Sequence, residues 1–180
     1  MSQIVAVVGM PASGKSEAVK VFEKNGFSRV YFGKPVFDRL EKEGLEVNEE
    51  NERKIREKMR EEGGMAVMAK KCLPKIDEKL KKGNVVIESL YSWEEYKLLK
   101  KKYGDKFQVL AIYSSPRTRY KRLKKRKDRK LTKKEAKNRD YSQIENLHTP
   151  GPIAIADFTI VNEGSLKDFK KYVEELVSYY

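Results

Sequence analysis

The chain contains one cysteine, one histidine and no long apolar segment. Cys72 is the single cysteine, which excludes an intrachain disulfide and a cysteine-based metal cluster. No stretch of about 18 apolar residues occurs and no basic-then-apolar leader is present, so neither a membrane span nor secretion is predicted. His148 is the only histidine, and no partner for it can be recognised nearby. We therefore expect a cytoplasmic protein that has no membrane partner and uses no histidine in catalysis.

Positive charge is concentrated in one segment. Residues 117–139 contain fourteen Lys and Arg residues against two acids, a net charge of +12, whereas the whole 180-residue chain carries +13. Such a segment suits a clamp on polyphosphate and suits nucleic-acid binding equally. Length and composition predict one α/β domain over residues 1–180.

Apolar runs alternate with helical patterns along the chain. The run "IVAVV" at residues 4–8 has the β-branched, wholly apolar composition of a strand buried on both faces. Further strands are predicted at residues 29–32, 84–89, 108–113 and 158–161, each followed by a helical pattern. Strands that alternate with helices predict a parallel sheet with right-handed crossovers.

The stretch "GMPASGKS" follows the first predicted strand and opens the first predicted helix. It matches the phosphate-binding P-loop pattern, with glycines at Gly9 and Gly14 followed by Lys15 and Ser16. Backbone N–H groups of such a loop, followed by a helix N-terminus, form a positive cradle for phosphate oxygens. We expect Lys15 to reach the outer phosphates and Ser16 to ligate Mg²⁺. The cradle itself consists of Gly9, Met10, Pro11, Ala12, Ser13 and Gly14.

An acidic residue ends the strand pattern "VVIE". Glu88 would lie at the carboxyl edge of the sheet, beside the P-loop, and could hold Mg²⁺ directly or through water. The alternative is an exposed acid at a strand end. Asp157 is a weaker candidate for the same role.

Four arginines of the basic segment are spaced for one face of a single helix. Arg119, Arg122, Arg126 and Arg129 stand at i, i+3, i+7 and i+10. Arginine forks match phosphate oxygens and stabilise the charge of a transferring phosphoryl group. We therefore interpret residues 117–150 as an arginine-bearing lid, in which Arg122 and Arg126 act with Lys15 in catalysis while Arg119 and Arg129 bind the phosphate donor. Arg139, on the next helix, is expected at the same site. A solvated basic surface is the alternative, and it explains the lysines better than the arginines.

With these motifs in place, the chain resembles the P-loop nucleoside-phosphate kinases, and within them an archaeal family related to adenylate kinase and dephospho-coenzyme A kinase. The resemblance runs nearly end to end and rests on "GMPASGKS", "VVIES", "SSPRTRYKRLKKR", "RD" at residues 139–140 and "AIADFTIVNEGS". It implies a three-layer fold with a five-stranded parallel sheet, helices on both faces, an acceptor-binding helical arm over residues 34–80 and a lid. It also implies ATP and Mg²⁺ as the phosphoryl donor, with Asn162, Glu163 and Gly164 against the adenine ring.

Two positions depart from the pattern of this family. Relatives have arginines that face the acceptor's phosphate where this chain has Phe37 and Tyr91. Arg39 is expected to contact the acceptor but points to a different helix face from Phe37. We interpret Phe37 and Tyr91 as aromatic surface for an acceptor ring, or else as ordinary packing residues.

The sequence as a whole predicts a kinase that moves the γ-phosphoryl of ATP to a phosphorylated or hydroxyl-bearing small molecule, AMP or another nucleoside monophosphate among the candidates. Arg139 joins Phe37, Arg39 and Tyr91 as an acceptor-binding residue. Asp38 is the nearest candidate base for a hydroxyl acceptor. A nucleotide-dependent regulatory or RNA-binding protein is the second hypothesis, because the basic segment suits RNA.

Overall fold

The computed structural model describes residues 2–127 and 130–180, and these form a sheet with helices on both faces. The strands are β1 (Ile4–Val8), β2 (Ser28–Tyr31), β3 (Val85–Glu88), β4 (Phe107–Tyr113) and β5 (Phe158–Val161). The helices are α1 (Lys15–Lys24), α2 (Lys34–Lys42), α3 (Glu49–Gly63), α4 (Val67–Leu80), α5 (Trp93–Tyr103), α6 (Pro116–Lys125), α7 (Lys133–Glu145), α8 (Pro150–Ala154) and α9 (Leu166–Val177), with a 3₁₀ turn at Gly104–Lys106.

The sheet has five strands in the order β2-β3-β1-β4-β5, and each neighbouring pair is parallel. The register places Val7 beside Glu88 and Leu110, so the P-loop after β1 and the acid at the end of β3 meet at one edge. This confirms the predicted α/β fold with a five-stranded parallel sheet.

Alternate residues of the central strand enter two separate cores. Ile4, Ala6 and Val8 pack with residues of α2 to α5, whereas Val5 and Val7 pack with α1 and α9. Both sets are fully buried, as expected for a strand covered on both faces. Cys72 lies in the first core, as its position on the helical stripe predicts.

Several helix starts follow from local sequence signals. Ser92 and Glu95 form a reciprocal capping box at the start of α5, and Thr132 and Glu135 form another at the start of α7. Each satisfies backbone N–H groups that a helix N-terminus leaves without partners. Within the described part of the chain, no helix is both long and apolar enough to cross a membrane.

Candidate functional site

The loop between β1 and α1 has the backbone conformation of a phosphate cradle. Gly9 and Gly14 adopt φ of 145° and 116°, and Ala12 adopts a φ of 62°. A Cβ on Gly9 would lie 2.4 Å from the Ile112 carbonyl oxygen, so a side chain there would displace the loop from β4. The positive φ of Ala12 stores strain, which persists where the surrounding structure fixes a functional loop.

Lys15 begins α1 and is folded back over the loop. Its Nζ donates to the carbonyl oxygens of Gly9 at 2.7 Å and Met10 at 3.0 Å. Burial, together with the nearby guanidinium groups of Arg139 and Arg126, lowers the pKa of Lys15 to about 7. The loop therefore places an ammonium group where negative charge would be strongly favoured.

Ser16 and Glu88 are brought together as the sequence predicts. The Ser16 hydroxyl donates to Glu88 Oε1 at 2.9 Å, and Glu88 is buried with an ion pair to Arg29 on β2. Among the described residues, no group of three or more His, Cys, Asp or Glu side chains could hold a metal. The Ser16–Glu88 oxygens nevertheless fit a magnesium ion that takes its other ligands from water and phosphate, since Mg²⁺ prefers hard oxygen donors and keeps several waters.

Arg119 is buried beneath the loop. Its guanidinium forms a two-pronged ion pair with Asp140 on α7, at 2.8 and 2.7 Å, and the two side chains are only 4% and 7% exposed. It also donates to the carbonyl oxygens of Ser114 at 3.0 Å and Pro11 at 3.3 Å. Arg119 thus joins α6, α7 and the loop at one point.

Arg122 and Asn162 hold the loop from the same side. Arg122 donates to the Ser114 hydroxyl at 3.0 Å and to the Asn162 backbone oxygen at 3.0 Å, with longer contacts to the carbonyl oxygens of Ala12 and Ser13. Asn162 Nδ2 donates to the Ser13 carbonyl oxygen at 2.7 Å. These contacts fix the carbonyl oxygens of Ala12 and Ser13, and inside the loop the Ser13 N–H donates to the Met10 carbonyl oxygen at 3.1 Å.

The prediction of one helix carrying all four arginines is wrong. α6 ends at Lys125, and Arg126 follows with extended backbone angles, φ −57° and ψ 144°. Closely spaced cations repel at helical i, i+3 and i+4 separations, and the chain turns back so that the Leu131 N–H donates to the Leu123 carbonyl. Arg129 lies outside the described residues.

Glu163 and Gly164 follow β5 and lie apart from the loop contacts. The Glu163 carboxylate accepts from the Ser115 N–H and the Thr118 hydroxyl, so it closes the first turn of α6. A Cβ on Gly164 would meet nothing within 4 Å. Their contact with an adenine ring stays a prediction.

A cavity of about 840 Å³ opens beside the P-loop, between α2, α3 and α7. Its walls combine aromatic rings with charged groups from facing helices. They include Tyr31, Phe37, Ser89, Tyr91, Arg53, Arg56, Arg60, Glu95, Leu131, Arg139 and Gln143. Ser89 lines this cavity and directly follows Glu88, whose carboxylate accepts a hydrogen bond from Ser16 of the P-loop at 2.9 Å. The cavity therefore adjoins the phosphate loop.

The structure brings Phe37, Tyr91 and Arg139 to this cavity and leaves Arg39 outside it. Phe37 packs near Tyr31 with ring centroids 6.3 Å apart. Arg39 forms ion pairs with Glu43 and Glu62, because its helical offset from Phe37 turns it toward α3. Asp38 is paired with Lys34 and is more than half exposed.

Several cavity residues were not predicted from the sequence, and two of them have side-chain atoms without hydrogen-bond partners. Arg60 is largely buried, and its Nε has no hydrogen-bond partner; Gln143 is 8% exposed, and its Oε1 has none either. Arg60 shares a helical face with Arg53 and Arg56, at i, i+3 and i+7, so periodicity of cations along α3 was the available signal. Gln143 carries no comparable signal.

Comparison with known proteins gives one consistent result. A family model described as "AAA domain" matches residues 5–146. Named relatives include the "UPF0200 protein" of Thermococcus kodakarensis, 36% identical over 97% of this chain and 98% of its own length. The "UPF0200/UPF0201 protein" of Archaeoglobus fulgidus is also 36% identical over 97% of this chain, but the chain spans only 55% of that relative.

Solved structures with low sequence identity share the fold. Shikimate kinase from Bacteroides thetaiotaomicron superposes with a TM-score of 0.66 at 13% identity, over 98% of this chain and 97% of that protein. Dephospho-CoA kinase from Campylobacter jejuni gives 0.57 at 18% identity, over 99% and 97%. Taken together, these matches show that the chain belongs to the archaeal UPF0200 family, carries an AAA domain and shares the fold of these P-loop kinases.

Proposed function

We propose that the chain is an ATP-dependent kinase that transfers the γ-phosphoryl group to a small acceptor bound in the cavity beside the P-loop. One observation carries the proposal: the cavity is lined by Ser89, which directly follows Glu88, the residue that accepts a hydrogen bond from Ser16 of the P-loop, and Arg139 lines the same cavity. A group at this junction could contact both the transferring phosphoryl and the acceptor, which phosphoryl transfer requires because its catalysis consists mainly of positioning and charge stabilisation.

The loop fits a triphosphate. The carbonyls of residues 11–13 accept from Arg119, Arg122 and Asn162, and Gly14, the N-cap of α1, provides no side-chain cap. The first N–H groups of α1 can therefore bind an anion.

Each cation then has a distinct proposed role. Lys15 would leave the Gly9 and Met10 carbonyls for the outer phosphates. Arg126 and Arg139 would stabilise charge on the transferring group, while Arg119 and Arg122 would act as positioning residues that hold the loop. Mg²⁺, when bound by Ser16 and Glu88, would neutralise phosphate charge.

The chemistry of the cavity favours an acceptor that already carries a phosphate and a planar ring, as a nucleoside monophosphate does. Arginines offer forked donors to phosphate, and the Tyr31, Phe37 and Tyr91 rings offer surfaces for stacking. The unpaired oxygen of Gln143 could accept from a ring N–H. A phosphate acceptor needs no general base, and Asp38, the candidate base for a hydroxyl acceptor, is paired with Lys34 outside the cavity.

The decisive experiment is a panel of acceptors incubated with labelled ATP and scored for transfer above ATP hydrolysis. We expect transfer to at least one nucleoside monophosphate and none to hydroxyl acceptors such as shikimate or gluconate. Arg60→Met should raise the acceptor KM about tenfold or more with little change in the KM for ATP, because Arg60 lines only the acceptor cavity. Arg117→Met, on the exposed start of α6, is the matched control. Hydrolysis of ATP without transfer to any acceptor would refute the proposal.

A further inference from the structure

The cations of the basic segment divide into two groups in the structure. Arg119, Arg122 and Arg139 turn inward, and the charges that lower the pKa of Lys15 belong to Arg139, Arg126 and Arg119. The lysines of the same segment are all exposed: Lys121, Lys124, Lys125, Lys127, Lys130, Lys133, Lys134 and Lys137. Phosphate binding at the P-loop therefore leaves the lysines without a function.

The exposed lysines are not held by ion pairs in the part of the chain that the structure describes. None of them forms an ion pair with a residue in 2–127 or 130–180. Glu135, the acid of α7's first turn, uses its carboxylate to cap Thr132. Outside residues 117–139, the chain has 26 Lys and Arg against 25 acids, so the excess of positive charge is confined to this segment.

An aromatic ring accompanies the lysines on α7. Lys134, Lys137, Tyr141 and Ile144 stand at i, i+3, i+7 and i+10, which places them on one face of the helix. Tyr141 is 50% exposed and Ile144 45% exposed, and the Lys137 ammonium lies 5.2 Å from the Tyr141 ring centroid. An exposed ring among cations is the arrangement that binds bases by stacking and the backbone by charge.

We propose that the exposed lysines of α6 (Lys121, Lys124 and Lys125) and the exposed face of α7 (Lys134, Lys137, Tyr141 and Ile144) bind single-stranded nucleic acid. The lysines would contact phosphates, and Tyr141 would stack on a base. An anionic membrane or an acidic protein would use the lysines but has no base to stack on Tyr141. This proposal is independent of the kinase proposal, since none of the residues involved belongs to the P-loop or the acceptor cavity.

The salt dependence of binding gives the first test. Contacts with about four phosphates predict a slope of log K against log salt near −3, which corresponds to a loss of about 50-fold in affinity between 50 and 200 mM salt. Fluorescence anisotropy with labelled 20-nucleotide RNA and DNA single strands measures this slope. The RNA and DNA arms decide which nucleic acid is preferred, and binding of either supports the proposal. Affinity for neither strand at 50 mM salt would overturn it.

Variants separate a specific surface from net charge. Lys134→Gln with Lys137→Gln should reduce the slope by about 1.4, two contacts at about 0.7 each. Lys71→Gln with Lys101→Gln removes the same charge from exposed positions on α4 and α5 and should leave the slope nearly unchanged. Equal effects of the two pairs would overturn the proposal.

The aromatic contribution has its own matched control. Tyr141→Ala should weaken binding at least about fivefold, whereas Tyr172→Ala, at a similarly exposed tyrosine on α9, should not. ATP binding in all four variants should equal that of the parent chain, which shows that the fold is retained. Binding to vesicles with anionic lipid that matches or exceeds binding to nucleic acid, with no effect of Tyr141→Ala, would assign the surface to membranes instead.

Discussion

Replacement of Asp140 by asparagine tests the buried ion pair that holds the P-loop. Asp140→Asn keeps the size of the side chain but leaves the Arg119 charge without its counterion, in a place where the two side chains are 4% and 7% exposed. Breaking one partner of a buried pair costs about 3–5 kcal/mol, because the remaining charge stays desolvated. In a chain of 180 residues this corresponds to a decrease in Tm between about 6 and 20 °C.

Thermal and urea unfolding, followed by circular dichroism, measure this change. Glu145→Gln removes a carboxylate from the exposed end of the same helix and should change stability by less than about 0.5 kcal/mol. If the free energies of unfolding of the two variants differ by less than about 1 kcal/mol, the reasoning is refuted, because breaking a buried ion pair should cost about 3–5 kcal/mol.

A double variant separates stability from loop support. Arg119→Met with Asp140→Leu removes both charges and should recover much of the lost stability, since a buried pair often contributes no more than an apolar replacement. The double variant should nevertheless bind ATP more weakly than the parent chain, because the Pro11 and Ser114 carbonyls lose the guanidinium that holds them. Calorimetric titration with ATP provides the measurement.

Three further predictions concern the P-loop itself. Lys15→Ala should abolish transfer while circular dichroism shows an intact fold, and full activity would contradict the proposed mechanism. The pKa of Lys15 is lowered from 10.5 to about 7, so the charged side chain destabilises the fold fully below pH 7, and this destabilisation disappears as pH rises toward 10.5. Lys15→Met should therefore be more stable than the parent chain at pH 7. This difference in the free energy of unfolding, measured with urea, should shrink by about 1.4 kcal/mol per pH unit between pH 7 and 9. Glu88→Gln should raise the Mg²⁺ concentration for half-maximal transfer at least about tenfold, whereas Glu17→Gln, a surface acid on α1 paired with Lys20, should not.

The fold was predictable because its signals are local. Buried strands appear as apolar runs, and capping pairs such as Ser92 with Glu95 specify helix starts from four residues. The Ser16–Glu88 contact was predictable for a related reason: parallel strands end at the same edge of a sheet, so two residues 72 positions apart are placed together by topology alone.

Other parts of the site depend on tertiary packing that no local pattern encodes. The spacing of Arg119 and Arg122 predicts a shared helix face, but it does not reveal that Asp140 and Asn162 would bind them beneath the loop. The end of α6 at Lys125 carries no glycine or proline signal. Arg60 and Gln143 face the same cavity only because α3 and α7 flank it.

The contacts that shape the P-loop also constrain when the loop can form during synthesis. Its carbonyls are held by Arg119, Arg122 and Asn162, which follow the loop by 108 to 149 positions. A nascent chain emerging at about 5–20 residues per second exposes the loop many seconds before these partners leave the ribosome. The loop therefore gains all of these contacts only after Asn162 has left the ribosome, and a chain terminated before Asn162 lacks one of the side chains that hold the loop.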